Sequence, residues 1–282
     1  MTERFLVLRA LLIAALALSV FACSRQSPSG PTQVTQTPTF SGEGFVGDTA
    51  FRAVIGARVE VLDGENAGVF AITDDQGKFT ITTPDKFSAG FSVRVTKDGY
   101  VPATKMVACA VGCLVITLQS VAAAVDVMGT YTLTLVAADT CSAQLPDALR
   151  TRTYTVTISP TPLGGVPPGP FGAVVSGGLF LPDHNSLVVG VAGTYVAVGV
   201  VDDDYADGLV EQVAPAAYLN IVGGAHFSVE TSGLSTISAP FDGRFGYCVS
   251  GTAPVSSFHS CWTDHPSSEC ASANHRLILA RR

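Results

Sequence analysis

Near the C-terminus, Cys261, His265, Cys270 and His275 stand at the spacing C-x3-H-x4-C-x4-H, and two thiolates with two imidazoles make a tetrahedral zinc set. The spacing misses the common knuckle pattern, and His275 opens an alternating apolar segment, so no metal is expected there. Asp202-Asp203-Asp204-Tyr205-Ala206-Asp207-Gly208 concentrates carboxylate oxygens as a calcium loop does, with Gly208 allowing a sharp bend. Such a loop ends in a bidentate acid at a fixed later position, and Glu211 comes too early for it, so a solvated acidic turn is the expectation. The five histidines, His184, His226, His259, His265 and His275, are not set beside a nucleophile in a recognisable motif. Neither H-E-x-x-H nor G-x-S-x-G occurs, and Gly42-Glu43-Gly44 and Gly223-Gly224 lack the Lys of a phosphate loop. Asp183-His184 and Asp264-His265 are adjacent pairs of the kind that arise by chance in turns. The chain is therefore expected to have no catalytic residues and no cofactor.

The cysteines point to oxidation chemistry instead. With Cys23 set aside, Cys109, Cys113, Cys141, Cys248, Cys261 and Cys270 form an even set, as in chains that fold in oxidising compartments. Spacing alone does not choose among the pairings. Proximity favours Cys109 with Cys113, Cys248 with Cys261, and Cys141 with Cys270. The last would join the end of one domain's first strand to the approach of its last.

Two sets of strands must position these residues. In the second half, Gly129–Leu135 alternates Tyr and Leu on one face with Thr on the other. The pattern returns at Thr153–Ile158, Tyr195–Val200, His226–Val229 and His275–Leu279, with Gly or Pro clusters between. Such a series over residues 125–282 is most economically a closed antiparallel barrel, because closure removes exposed sheet edges. In the first half, Ala57–Val61, Lys78–Thr82 and Phe91–Val95 each alternate as half-buried strands. Turns rich in Asp and Gly separate them, at Asp63–Asn66, Asp74–Gly77 and Lys97–Gly99. Residues 41–120 are expected to form a compact antiparallel sandwich, joined to the barrel through the small residues Val121–Ala124.

The series Gly44–Asp48, Ile55–Val61, Thr73-Asp74-Asp75-Gln76-Gly77-Lys78-Phe79 and Lys97-Asp98-Gly99-Tyr100 resembles the carboxypeptidase regulatory-like domain, a transthyretin-like β-sandwich. The resemblance implies a non-catalytic accessory module, of a fold some of whose members bind carbohydrate, and it carries no catalytic residues across. Read physically, Gly77 permits the turn, Asp74 accepts a backbone hydrogen bond and Phe79 fills the core. The opening Gly-x-Tyr strand of the second half, and a final strand able to pair with it, are similar to lipocalin-like barrels at the level of fold.

The N-terminus supplies an address. Arg4 and Arg9 accompany the apolar stretch Ala10–Val20, long enough for a signal-peptide core and too short to span a bilayer stably. The stretch ends in Val20-Phe21-Ala22-Cys23, which resembles the bacterial lipobox. That resemblance implies cleavage of residues 1–22 and acylation of Cys23. Residues 23–40 then form a polar tether rich in Ser, Pro, Thr and Gln. The chain is 47% hydrophobic, 14% charged and carries a net charge of −7, so it lacks the clustered cations that nucleic-acid binding requires. The expected protein is a non-enzymatic cell-envelope lipoprotein, at an outer membrane and facing the periplasm or the surface. Its expected partners are the membrane, through the lipid anchor, and a carbohydrate or protein. The alternatives are a carrier of small apolar ligands inside the barrel and a secreted hydrolase of unfamiliar type.

Overall fold

The computed structural model describes residues 40–83, 90–107, 114–160, 171–200, 208–229, 235–250 and 267–282. The fold is all-β: a two-sheet sandwich followed by a closed eight-stranded antiparallel barrel. Both lie within the single compact unit Thr39–Arg282.

In the sandwich, β1 (Phe40–Asp48), β4 (Lys78–Thr83), β6 (Tyr100–Val101) and β8 (Leu114–Ser120) form one sheet, in the order β4-β1-β8-β6. The other contains β2 (Arg58–Val61), β3 (Phe70–Ile72), β5 (Phe91–Thr96) and β7 (Ala103–Val107), in the order β3-β2-β5-β7. Period-two burial explains the layering: β4 buries every second residue, β5 and β8 do the same, and the inward sets meet as one core. That core includes Val46, Val59, Phe79, Ile81, Val93, Val95, Ile116 and Leu118. The turn before β4 is built as its residues suggest, with Asp74 Oδ1 accepting the N–H groups of Gln76 and Lys78 at 2.9 and 2.8 Å. Gly77 has φ +74°, and a Cβ there would lie 2.6 Å from the Val46 carbonyl oxygen. One expectation needs correction: the sandwich is not antiparallel throughout, since β1 and β8 pair in parallel from Gly44↔Leu114 to Asp48↔Leu118. Parallel neighbours need a long crossover, and the intervening strands of the sandwich supply it.

The barrel is a meander of β9 (Gly129–Val136), β10 (Thr151–Ser159), β11 (Phe171–Ser176), β12 (Ser186–Ala192) and β13 (Tyr195–Val200), each pairing with the next. It continues through β15 (Ala217–Ser228), β16 (Thr236–Val249) and β17 (Ser267–Arg281). Closure comes from the pairing of β17 with β9, the first-to-last contact expected from sequence. β13 and β14 (Leu209–Ala214) lie end to end along β15, which pairs Val200 with Gly223 and Leu209 with Ile221. The acidic run Asp202–Asp207 falls in the connection between them, outside the described residues.

Tyr131, Leu133, Leu135, Tyr154, Leu187, Phe241, Phe245 and Leu277 pack the barrel interior. β15 and β17 are longer than their alternating segments suggest. β15 starts at Ala217 rather than His226, because Ala217–Ile221 is buried on both faces and shows no alternation. β17 starts at Ser267 rather than His275, through a polar run and a register shift opposite Phe241 and Gly243.

Candidate functional site

The sandwich meets the barrel at a junction built from the turn after β1. Asp48 is 2% exposed, and its carboxylate organises that turn. Oδ1 accepts the N–H of Ala50 at 2.9 Å and of Arg52 at 3.0 Å, while Oδ2 accepts Arg52 Nε at 2.8 Å and the Tyr100 hydroxyl at 3.2 Å. This scaffold holds Phe51 at φ 60°, a conformation costly for a bulky residue, and aims the tip at the barrel. There Thr49 donates its hydroxyl hydrogen to the Val191 carbonyl, and Ala50 packs with Ala192 and Ala197. The Arg52 guanidinium lies 4.2 Å from the Tyr195 ring centroid, and that ring stacks on His226 at 6.0 Å. Gly190 is required by the approach, since a Cβ on it would fall 2.5 Å from the Thr49 carbonyl oxygen. On the connector, Val125 N–H donates to the Gly193 carbonyl at 3.0 Å.

Beside this contact is a cleft of about 480 Å³, bounded by Thr49, Ser120, Val121, Ala122, Phe171 and Val191 among others. None of its lining residues is ionisable. The volume is within the range of ligand sites, which favour domain boundaries.

The barrel holds two further polar clusters, around Glu211 and His275, whose actual partners no sequence spacing shows. Glu211, 4% exposed, faces inward from β14, where its carboxylate accepts Arg152 Nε at 2.9 Å, the second Arg152 N–H group, and the Tyr154 hydroxyl at 2.8 Å. Burial, with the carboxylate beside it, pushes the Tyr154 hydroxyl far above its ordinary pKa; burial acts to lower the pKa of Arg152, but its hydrogen bonds to Glu211 and Tyr154 outweigh that and raise it. His275 is fully buried, packed 4.8 Å from the Phe245 ring. Its Nδ1 accepts the N–H of Ala138 at 2.8 Å, which puts the ring proton on Nε2. Burial lowers its pKa, and the backbone of Gly243 and Cys270 and the charge of Asp242 offset only part of that.

Cys141 and Cys270, the pair expected from sequence, are bonded, with S–S 2.05 Å and Cα–Cα 5.5 Å. Cys270 is thereby removed from any zinc set, and His275 points its lone pair at a backbone N–H. Cys248 is also disulfide-bonded. Cys23, Cys109, Cys113 and Cys261, with His259 and His265, lie outside the described residues. Among the described residues no group of three or more His, Cys, Asp or Glu is arranged to hold a metal. In comparisons with known proteins, no family model and no curated protein sequence matches the chain.

Proposed function

We propose that this chain is a non-enzymatic cell-envelope lipoprotein, anchored through an acylated Cys23, that presents the sandwich and barrel as one body to a protein or carbohydrate partner. The observation that carries the reading is how the buried ionisable side chains are spent. Asp48 braces the junction turn, Glu211 ties Arg152 and Tyr154 across the barrel, and His275 caps a backbone N–H. Among the described residues each is bonded into the fold, His275 through Nδ1 alone, whereas the cleft at the junction is lined by uncharged groups. The packed barrel interior weighs against a carrier that uses that space. The turn Asp74–Phe79 and the Asp98-Gly99-Tyr100 segment, in a sandwich of this size, support a carboxypeptidase regulatory-like accessory module. An outer-membrane address is part of the same proposal, with Ser24 following the cysteine.

Detergent-phase partitioning of membrane extracts, with mass spectrometry of the N-terminal peptide, tests the anchor. The wild-type chain should enter the detergent phase and begin at an acylated Cys23, and Cys23→Ser should remain in the aqueous phase. A wild-type chain that stays aqueous and begins at another residue contradicts the proposal.

A further inference from the structure

His275 is bonded on one side only. Its ring is fully buried and Nδ1 accepts the Ala138 N–H at 2.8 Å, while Nε2 meets no hydrogen-bond partner among the described residues. A neutral imidazole carries one hydrogen, and with Nδ1 acting as acceptor that hydrogen stands on Nε2. A buried N–H that donates to nothing bears its full desolvation cost. Such groups in native folds are therefore nearly always met by protein or by an ordered water.

The strand pairing explains how the donor comes to be stranded. Gly243 lies opposite Ser272 and Phe241 opposite His275, so two steps along β16 match three along β17. The extra residue makes a bulge, which interrupts the ladder and moves backbone groups off register. His275 is the residue at which pairing resumes. Leu277 and Leu279 follow it on the same face of β17, in the barrel core, so the imidazole is turned inward. There the Phe245 and Phe241 ring centroids lie 4.8 and 6.2 Å from its own, and neither ring carries an oxygen or nitrogen. The backbone carbonyls of Gly243 on β16 and Cys270 on β17 both bear on the imidazole and favour its charged form. Neither closes a hydrogen bond with Nε2. A carbonyl oxygen has two lone pairs, so each can receive a further hydrogen even while it serves the ladder.

We propose that this bulge holds one internal water, which accepts from His275 Nε2–H and donates to the carbonyls of Gly243 and Cys270. The chemistry of the surrounding groups selects that occupant. Nε2 presents a hydrogen rather than a lone pair, so the occupant is an acceptor and not a metal ion. An anion would be buried against two aromatic rings with no cation to compensate it, so the occupant is neutral. It must also donate twice, and one accepted and two donated bonds make the usual complement of a buried water. The water joins β16 and β17 and, through the imidazole, the segment after β9 at Ala138, in one chain of hydrogen bonds. The site does not depend on the proposed function, since it needs only the folded barrel.

NMR of the full chain carrying Cys23→Ser, with ¹⁵N in its histidine rings, reads the site directly. His275 is assigned by contacts to the Phe245 ring, or by loss of its signals in His275→Gln. Above the ordinary histidine pKa its ring couplings should report the Nε2–H tautomer. Its Hε2 should give cross-peaks to water of opposite sign in NOE and ROE spectra, the mark of a held water rather than of proton exchange. An Hε2 with no such cross-peak overturns the proposal, whether it is shifted upfield over the Phe245 ring or coupled across a hydrogen bond to Gly243 or Cys270. The Nδ1–H tautomer overturns it equally.

Discussion

At the residue scale, the polar groups described inside the barrel bond to one another and to the backbone, so their removal should be felt as stability. Glu211 is nearly buried while Arg152 is a quarter exposed at its side chain, so the cation retains some access to water if its partner is lost. Glu211→Leu should cost about 3 kcal/mol, near the low end for breaking a buried pair, read as a fall in the urea midpoint at unchanged slope. His275 makes a pH-dependent contribution with a definite sign. Its folded pKa lies below the unfolded value, so the unfolded chain binds the extra proton as pH drops past about 6.5. Stability should hold above that pH and decline below it, because protonation both charges a buried ring and takes the Nδ1 lone pair from Ala138. In urea melts between pH 8 and 5, His275→Gln should show a shallower acid decline than wild type. Equal slopes would mean the imidazole titrates as freely in the fold as outside it.

At the element scale, legibility followed burial. Strands buried on one face were readable: β4, β5 and β9 alternate because each has one face in a core and one outside it. The start of β15 was not readable, since Ala217–Ile221 packs on both sides and has no period. Glu211 was weighed only as a calcium ligand, because an acid in Leu-Val-Glu-Gln-Val reads as facing solvent. Its partners on β10 are more than fifty residues away, so no local spacing reports them. The parallel β1–β8 pair was hidden for a similar reason, since alternation fixes a strand's faces and leaves its direction open. The Cys141–Cys270 bridge could be anticipated because closure places the ends of β9 and β17 side by side, whatever the details between. That bridge spans 129 residues, and the chain-entropy relation assigns it about 5 kcal/mol. Cys141→Ser with Cys270→Ser should therefore lower the melting temperature markedly in calorimetry. A shift of a degree or less would show that the closed barrel already supplies the constraint.

At the scale of the whole molecule, two cores share no residue, yet the turn after β1 fastens one domain to the other. Fragments 41–120 and 125–282 should each unfold cooperatively, and the intact chain should melt above either fragment by the worth of the junction. A fragment left disordered would show a shared core instead. The central claim, that sandwich and barrel are presented as a single body, is tested most directly by amide ¹⁵N relaxation on the intact chain. The account predicts one rotational correlation time for the strands of both domains. It also predicts that Ala50→Lys, which drives a charge between Ala192 and Ala197, splits that value into two shorter ones. Two distinct times already present in the wild-type chain would contradict it.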